Sequence, residues 1–536
     1  MSKQLALPKL PLFQQALSQA QNAELNKPAV VDVRTGKSFT YRQLVTAVAS
    51  FREKILNGRS DLEEARVAFL CPSGYQYVVF QWAIWAAGGI AVPLCTAHPE
   101  HELLYSVTDS ESSLILAHPS FHDIISKVAQ SANIELKVFS DEEMSDVSEQ
   151  MLPKLFDMDL SRRALIIFTS GTTGKPKGVV STHEAISVQT SDLVTAWQWK
   201  SSDRILHVLP LHHVHGVINA LQCPLYAGAT VEMMEKFDND GVWRRWIAGA
   251  NGEKITIFMA VPTIYAKLIK HYNSALSEED QAAATSACAQ FRLMVSGSAS
   301  LPTPVRAKWK TITKQVLLER YGTSEFGMAL SQPYEVSERV EGTVGLPLPS
   351  VQVRIMAESI EGSGNYDMNV TDECEVSGSL QVKGPNVFKE YYNRPEATAK
   401  EFTEDGWYKS GDIGIRHGAK GYFSIMGRSS VDIIKTGGYK VSALEIEREM
   451  LSEESLGIFD VAVVGVEDEE WGQKVGAAVV LNAGQNLDLK TMRNILKPKL
   501  AFYKVPTLLK VVDELPKNAM GKVTKKALIP LFTEEK

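Results

Sequence analysis

Hydrophobic runs of strand length alternate with longer helix-like stretches through most of this 536-residue chain. The clearest runs are Arg66 to Leu70, Ser113 to Ala117, Ala164 to Phe168 and Ile255 to Met259. Such alternation predicts layered α/β sheets, in which helices cover the faces of mostly parallel strands. The longest apolar stretch, Phe80 to Ile90, is shorter than the ~18 residues of a membrane span, so we expect a buried helix there and no membrane span.

The pattern changes in the last third of the chain. From about Val351 the segments become shorter and richer in β-forming residues, with closely spaced Gly and Pro, which predicts a β-rich subdomain over about 351–426. We therefore expect a large N-terminal domain over 1–427. The remaining ~100 residues, a common domain size, predict a small α+β domain. Its expected elements are a helix from Ser442 to Met450, strands Val461 to Val466 and Gly476 to Leu481, a helix from Leu489 to Leu496 and a strand from Thr507 to Val512.

Composition and charge exclude several classes of protein. With 44% hydrophobic and 22% charged residues, the chain is typical of a globular protein of roughly two to four folding units. Its net charge of -7 gives no general attraction to nucleic acid. The five cysteines form no CxxC pair, which favours reduced thiols over disulfides or a zinc site. We expect a cytoplasmic location, with the mitochondrion as the alternative.

A run of ten glycine, hydroxyl, lysine and proline residues follows the apolar run Ala164 to Phe168. It reads Thr169-Ser170-Gly171-Thr172-Thr173-Gly174-Lys175-Pro176-Lys177-Gly178. Glycines let backbone N–H groups approach an anion, hydroxyls donate hydrogen bonds and lysines supply charge, so the run predicts a phosphate-binding loop. Its glycine spacing differs from that of a Walker P-loop. A solvated turn is the alternative for residues of these types.

This loop is similar to the signature of the adenylate-forming superfamily, which includes acyl-CoA synthetases, peptide-synthetase adenylation domains and beetle luciferases. Further motifs of that superfamily follow in the right order: Leu211-His212-His213-Val214-His215-Gly216, Ser296-Gly297-Ser298-Ala299, Tyr321-Gly322-Thr323-Ser324-Glu325, Tyr408-Lys409-Ser410-Gly411-Asp412, Gly427-Arg428, Lys435-Thr436-Gly437-Gly438-Tyr439-Lys440, and Pro516-Lys517 with Gly521-Lys522. The resemblance implies that ATP activates a carboxylic acid as an acyl-AMP, whose acyl group then passes to the thiol of coenzyme A.

The resemblance also implies a role for each motif. The residues implied in ATP or AMP binding are Thr169, Ser170, Gly171, Thr172, Gly174, Lys175, Lys177, Ser298, Ala299, Tyr321, Gly322, Thr323, Asp412 and Arg428. Those implied in catalysis are Lys522, His213, Thr173 and Glu325. Glu325 would bind Mg²⁺, because cations must offset the repulsion between ATP and the attacking carboxylate. Asp412 would accept both ribose hydroxyls, although a turn-stabilising role is the alternative for this aspartate.

The C-terminal motifs imply two conformations. Lys522 resembles the lysine that bridges the substrate carboxylate and the α-phosphate during adenylation. In relatives the C-terminal domain then rotates, which would bring Lys435, Gly437 and Gly438 to face the site for thioester formation. We therefore expect a mobile domain over 433–536.

The hinge of this rotation follows the Gly-Arg pair in relatives, which corresponds to 428–432 here. Between Arg428 and Thr436 this chain has seven residues where most relatives have six. The hinge therefore falls at Ser430 or Val431 and lacks the usual Asp or Lys.

A cation occupies a position where this superfamily usually has an apolar or small polar residue. Arg320 would carry a desolvation penalty of several kcal/mol beside a fatty acyl tail, but it could form a bidentate ion pair with a second carboxylate. His213 and His215 would point the same way in an extended segment and add donors beside it. An internal ion pair of Arg320 with a neighbouring acid is the alternative.

These residues, together with Leu318-Glu319-Arg320-Tyr321-Gly322 and the run from Arg339 to Gly345, are similar to malonyl-CoA synthetases. The resemblance implies malonate as the acid and malonyl-CoA as the product. Its substrate carboxylate would be bound by Arg320, His215, Met328 and Gly297. Methylmalonate differs by one methyl group, worth only ~1 to 3 kcal/mol in a pocket, and stays an alternative.

Three rival functions stay open at this point. One is a medium-chain or aromatic acyl-CoA synthetase, in which Arg320 pairs elsewhere. Another is an adenylation enzyme that loads a separate carrier protein, and the third is an inactive nucleotide-binding regulator. Lys522, Glu325 and Asp412 disfavour the last of these. The ligase itself would need ATP, Mg²⁺ and coenzyme A, and no obligate protein partner.

Overall fold

The computed structural model describes residues 5–22, 27–145, 152–169, 175–360, 363–437, 439–517 and 523–533. Two large sheets and the helices that cover them share one extended hydrophobic core. The helix Tyr75–Ala86 is buried along its whole length within this core, and it includes the first part of the apolar stretch Phe80 to Ile90, whereas Ile90 begins the next strand. Among the described residues, no helix combines the length and the hydrophobicity that a membrane crossing requires.

The first large sheet has seven strands in the described chain. Its five parallel strands include the predicted strands near Arg66, Ser113 and Ala164. In spatial order the strands are Glu390–Tyr391, Lys177–Thr182, Arg163–Thr169, Ile90–Pro93, Arg66–Leu70, Leu114–Ala117 and Glu135–Val138.

The second large sheet has nine strands in the part of the chain that is described. Six neighbouring strands of this sheet run parallel, from Leu318–Thr323 to Pro28–Asp32. In spatial order the strands are Leu346–Pro347, Gly327–Ser331, Leu318–Thr323, Leu293–Ser296, Ile257–Ala260, Arg204–His207, Thr230–Met233, Pro28–Asp32 and Lys37–Thr40. A further small sheet pairs Ala6–Pro8 with Lys154–Phe156.

The helices of the N-terminal region begin and end at recognisable signals. Thr40 caps the helix Tyr41–Leu56 through a reciprocal capping box with Gln43, and left-handed Asn57 ends it. The other helices before residue 430 in the described chain are Pro11–Gln21, Glu100–Asp109, His122–Ala132, Asp141–Ser145, His183–Ala196, the π-helix His215–Gln222, Cys223–Tyr226, Asn239–Gly249, Pro262–Ala275, Glu278–Ala287, Thr303–Thr313 and Pro395–Glu401.

An antiparallel sheet forms the predicted β-rich region. Its strands, in spatial order, are Tyr366–Asn369, Gln352–Glu358, Ser377–Lys383, Tyr408–His417 and Tyr422–Arg428. The last two strands set Asp412 directly opposite Arg428. This register brings two of the predicted nucleotide-binding residues together.

The C-terminal region contains its own sheet and its own hydrophobic core. Its helices are Ala443–Ser452 and Leu489–Leu496, and its strands are Ile433–Thr436, Tyr439–Ser442, Ile458–Asp468, Gly472–Leu481 and Leu508–Val511. The five predicted elements are present to within a few residues, and the strands Ile433–Thr436 and Tyr439–Ser442 were not predicted. The predicted fold class, a large α/β N-terminal domain followed by a small α+β domain, is confirmed, whereas the boundary at 427 and the hinge at 428–432 stay predictions.

Candidate active site

Several predicted site residues lie at one edge of the nine-stranded sheet. The parallel strands Arg204–His207, Leu293–Ser296 and Leu318–Thr323 all end at this edge. The segment after the first strand carries His215, and the turn after the second carries Ser298. The carboxyl ends of parallel strands are the usual place for ligands in open α/β sheets.

Arg320 is buried at this edge and has no acidic partner among the described residues. Its side chain is 4% exposed, and one terminal nitrogen donates a hydrogen bond to Oγ of Ser298 at 3.1 Å. Its Nε makes no hydrogen bond, and no carboxylate of the described residues lies within 4.0 Å of the guanidinium. Burial lowers the pKa of Arg320 to about 9. The guanidinium is therefore a desolvated cation with free donor capacity.

The alternative of an internal ion pair for Arg320 is wrong for the described chain. The neighbouring acid, Glu319, points to the other face of the strand and pairs with Arg306 at 3.3 Å. Successive side chains of a strand alternate between its faces, which separates Glu319 from Arg320. Burial, opposed by Arg306, raises the pKa of Glu319 to about 7.

His215 forms a cluster with Arg320 and Ser298, because its ring contacts the Ser298 hydroxyl that Arg320 also contacts. Its Nδ1 is 3.3 Å from that oxygen, and its Nε2 is buried without a partner among the described residues. Burial, and then the charge of Arg320, holds the pKa of His215 well below 6.5, so the ring is neutral. Neutral imidazole next to a cation leaves the net charge of the cluster at +1, which favours an anion.

The expected extended segment around His213 and His215 is wrong. His215 begins the π-helix His215–Gln222, and the carbonyl of His213 accepts a hydrogen bond from the Val217 amide at 2.9 Å. The extended geometry that would point both imidazoles the same way is therefore absent here. His213 packs instead against His212, with ring centroids 4.2 Å apart. His215 joins the Arg320 cluster through the Ser298 hydroxyl.

Two further predicted residues have close contacts here. A Cβ at Gly297 would stand 2.4 Å from Nε of Arg320, so only glycine leaves room for the guanidinium. Met328 is 1% exposed and lies opposite Gly322 in the strand register. A Cβ at Gly322 would stand 2.7 Å from Cε of Met328.

Tyr321 connects this edge to the β-rich sheet. Its hydroxyl donates to Oδ2 of Asp412 at 2.5 Å, and Nε of Arg428 lies 3.6 Å from the other oxygen of that carboxylate. Burial raises the pKa of Asp412, against the opposing effects of Tyr321 and Arg428. Left-handed Gly411 turns the chain immediately before it. Of the other residues implied in ATP or AMP binding, Ser298 contacts Arg320 and Ala299 is exposed.

Glu325 lies beside Tyr391 on the first sheet. The Tyr391 hydroxyl donates to Oε1 of Glu325 at 2.9 Å, and the Thr323 hydroxyl accepts the Glu325 amide at 3.2 Å. The second carboxylate oxygen has no hydrogen bond from a described residue. One free carboxylate oxygen fits Mg²⁺, which binds a few protein oxygens together with phosphates. The described residues contain no cluster of three or more metal ligands.

The ends of the glycine-rich loop belong to two paired strands. Thr169 lies opposite Lys177 in the register, so the predicted loop connects the two strands of a hairpin. Nζ of Lys177 lies 3.8 Å from the ring centroid of Tyr391, and Nζ of Lys175 lies 5.7 Å from that of Tyr105. The predicted residues Ser170, Gly171, Thr172, Thr173 and Gly174 lie outside the described residues.

Two of the residues expected for thioester formation are described, Lys435 on a strand of the C-terminal sheet and Gly437 in the turn after it. Lys435 is exposed, and Gly437 has φ of +53°, with its N–H donating to the carbonyl of Trp471 at 2.9 Å. Gly438 and Lys522 lie outside the described residues. Their roles stay predictions.

The sequence analysis assigned no role to three residues near these sites. Tyr391 contacts Glu325, Asn219 lies on the π-helix after His215, and Ser296 ends its strand beside Gly297. The side-chain polar atoms of Asn219 and Ser296 are buried without partners in the described chain. Alternation along the strand could have found Ser296, but no local pattern marks the other two.

The family comparison agrees with this arrangement. The AMP-binding enzyme family matches residues 17–392, and the AMP-binding enzyme C-terminal domain matches residues 447–522. The chain belongs to the AMP-binding enzyme family. The adenylate-forming resemblance drawn from the motifs is confirmed.

This AMP-binding enzyme resembles proteins with a named acid substrate. It is 46% identical over 512 residues to a mitochondrial malonate–CoA ligase of Homo sapiens, with 92% of this chain and 88% of the relative covered. Its structure matches ATP-bound MatB from Rhodopseudomonas palustris with a TM-score of 0.84 and 31% identity, over 98% and 99% of the two chains. A malonyl-CoA ligase in a ternary product complex with methylmalonyl-CoA and AMP gives a TM-score of 0.64 at 32% identity, over 94% and 99%.

Proposed function

We propose that this AMP-binding enzyme is a malonate–CoA ligase. One carboxylate of malonate attacks the α-phosphate of ATP and gives malonyl-AMP with release of pyrophosphate. The thiol of coenzyme A then attacks the acyl carbon, and AMP leaves with the electrons of the broken acyl–phosphate bond. The products are malonyl-CoA, AMP and pyrophosphate.

The observation that carries the proposal is the buried, acid-free guanidinium of Arg320. A fatty or aromatic acyl group would leave this cation unpaired at a cost of several kcal/mol, whereas the second carboxylate of malonate would neutralise it. Nε of Arg320 and Nε2 of His215 make no hydrogen bond within the described part of the chain, and they provide donor capacity for that carboxylate. This argument disfavours the medium-chain and aromatic alternatives.

The nucleotide would lie between the β-rich sheet and the sheet edge. Asp412 would accept the ribose hydroxyls, with Tyr321 and Arg428 holding its carboxylate in place. Glu325 would hold Mg²⁺ against the phosphates. When bound, the ion would offset the charge that repels the attacking carboxylate. Lys522 would add a second cation between the two reacting anions.

The two half-reactions need different surroundings, and we infer a domain rotation between them. At nearly equal identity, the TM-score is 0.84 with an ATP-bound relative and 0.64 with a relative bound to AMP and a CoA thioester. This difference supports an arrangement suited to adenylation. The second arrangement would bring Lys435, Gly437 and Gly438 to the site.

The mitochondrion is the location that we propose, in place of the cytoplasm. The mitochondrial name of the animal relatives supports it. Immunodetection in purified, protease-treated mitochondria tests this proposal. Recovery in the cytosolic fraction alone would contradict it.

The test of the function is a panel of acids offered to the purified enzyme with ATP and Mg²⁺, with and without coenzyme A. Pyrophosphate release should be fastest with malonate, and the thioester should appear only when coenzyme A is present. Methylmalonate in the same panel measures how well the pocket rejects one methyl group. Faster turnover of butyrate, octanoate or benzoate than of malonate would refute the assignment.

A further inference from the structure

Lys525 is a buried lysine outside the site described so far. Only 9% of its surface is exposed, and its ammonium lies 2.6 Å from Oδ1 of Asp432 and 2.8 Å from Oε1 of Glu447. Burial alone would lower its pKa, but the two carboxylates reverse this effect and raise it. A lysine is seldom buried unless its charge is paired, so this position depends on both acids.

The two carboxylates belong to different parts of the chain. Glu447 lies on the C-terminal helix Ala443–Ser452, and its Oε1 also accepts the Val463 amide at 2.7 Å. Asp432 lies at the end of the predicted hinge, and its Oδ2 accepts the Arg428 amide at 3.0 Å. Lys525 is therefore bound to the C-terminal domain on one side and to the hinge on the other.

The hinge connection continues to the nucleotide site. The Arg428 side chain faces Asp412 at 3.6 Å, and the charge of Asp432 raises the pKa of Asp412, although burial is the larger cause. Lys525 is thus linked to the proposed ribose aspartate by two ion pairs, which the hydrogen bond from the Arg428 amide to Asp432 connects. This path consists of direct contacts, as physical coupling between sites requires.

Lys525 also follows closely on the segment that contains Lys522. The residues on either side of 518–522 are held together, because Lys517 and Val523 pair as in an antiparallel strand and the Thr524 amide donates to the Pro516 carbonyl at 2.8 Å. The first of these ends is fixed by Lys517, whose Nζ lies 2.8 Å from Asp460. The second end is fixed by Lys525.

We propose that Lys525 is a positioning residue for adenylation, because its ion pair with Asp432 fixes Val523 and Thr524, which directly follow Lys522 in the chain, to the hinge. It touches no substrate. It acts by fixing the position of the paired residues Lys517 and Val523, between which the chain carries Lys522. The proposal rests on the proposed function, because it takes Lys522 as the adenylation lysine. It predicts that the first half-reaction is more sensitive to Lys525 than the second.

The test compares Lys525→Met with Lys525→Arg and with Lys526→Met in the full-length enzyme. Lys526 is the adjacent exposed lysine, it forms no ion pair within the described chain, and its substitution removes the same charge. Lys525→Met should lower kcat of malonate-dependent ATP–pyrophosphate exchange about 10- to 100-fold, with KM values for malonate and ATP within about twofold. Thioester formation from supplied malonyl-AMP should stay within about threefold, and Lys525→Arg should recover most of the exchange.

A double substitution identifies the partner. If the Asp432 pair carries the effect, Lys525→Met combined with Asp432→Asn should be little worse than the lysine change alone. If the fold-losses in ATP–pyrophosphate exchange of the two single variants multiply in the double variant, the two residues act independently and the link to the hinge is overturned. Equal losses of both half-reactions in Lys525→Met, with no recovery in Lys525→Arg, would reduce Lys525 to a residue of general stability and overturn the proposal.

A readout without substrate separates this inference from the proposed function. Hydrogen exchange at the Thr524 amide should be about tenfold faster in Lys525→Met and unchanged in Lys526→Met. If hydrogen exchange at the Thr524 amide is unchanged in both variants, the anchoring by Lys525 is overturned. If Lys525→Met loses the anchoring as expected but the wild-type enzyme shows no malonate-dependent ATP–pyrophosphate exchange, the assignment of malonate fails while the anchoring stands.

Discussion

Gly297 and Arg320 are in such close contact that a methyl group on Gly297 would stand 2.4 Å from Nε of the guanidinium. Gly297→Ala should therefore displace Arg320 and lower kcat/KM for malonate about 10- to 100-fold, mainly through KM. Steady-state kinetics with malonate and butyrate measure the change. Gly252→Ala is the matched control, because a Cβ at Gly252 would stand 3.9 Å from its nearest neighbour, the Ala248 carbonyl oxygen. Equal losses for malonate and butyrate would point to a general defect of the strand.

Arg320→Ala should remove the selection of a dicarboxylate. Loss of one partner from a buried ion pair costs ~3 to 5 kcal/mol, so kcat/KM for malonate should fall roughly 10²- to 10³-fold or more. Butyrate gains nothing from the guanidinium and should be unaffected or improved. Arg320→Lys keeps the charge but not the bidentate geometry, and it should give an intermediate loss. A parallel fall for both acids would indicate a structural arginine.

Lys522→Ala should separate the two half-reactions. Without this cation, malonate-dependent ATP–pyrophosphate exchange should fall by several orders of magnitude, because the repulsion between the reacting anions is no longer offset. Thioester formation from supplied malonyl-AMP should persist. Near-normal exchange in the variant would remove the proposed role of Lys522.

Gly438→Leu should affect the other half-reaction. The added side chain should block the path of the CoA thiol, so that thioester formation falls while ATP–pyrophosphate exchange stays largely intact. Gly438→Ala is the smaller control and should give a smaller effect. Loss of both half-reactions together would leave the domain rotation without support from this segment.

Protonation of His215 should contribute to the pH dependence of the free energy of unfolding. Burial and the charge of Arg320 hold its folded pKa well below 6.5, whereas the unfolded chain takes up a proton near pH 6.5. Its stabilising effect is therefore complete above pH 6.5 and is lost as pH falls below it, at up to about 1.4 kcal/mol per pH unit.

His215→Asn tests this effect in the purified protein. Its melting temperature should fall less between pH 7.5 and 5.5 than that of the wild type. The exposed His101 is the control, with a side chain that is 79% exposed. His101→Asn should follow the wild-type curve, and an identical curve for His215→Asn would contradict the buried neutral imidazole.

Much of the fold was predictable because its signals are local. The strand Arg66–Leu70 and the helix Leu489–Leu496 are bounded as predicted, since an apolar run or a 3.6-residue period together with capping residues defines each of them. The segment at His213 and His215 was not predictable. Its polar and apolar residues suit a strand or a helix, and packing against the surrounding core decided for the π-helix.

The sequence by itself determined the family and the chemistry. Ordered motifs carry the glycines, hydroxyls and charges that adenylation requires. These residue types can be recognised from the sequence alone. The sequence also placed a cation at Arg320, but it left two roles open for that cation.

Only the tertiary structure decided between those roles. Whether a guanidinium pairs internally depends on which side chains converge on it from distant strands, and on which face of its own strand it points. The fold turns Glu319 toward Arg306 and surrounds Arg320 with Gly297, Ser298 and neutral His215. Burial then removes water as a competing partner, and the cation is left with the donor capacity that a second carboxylate can use.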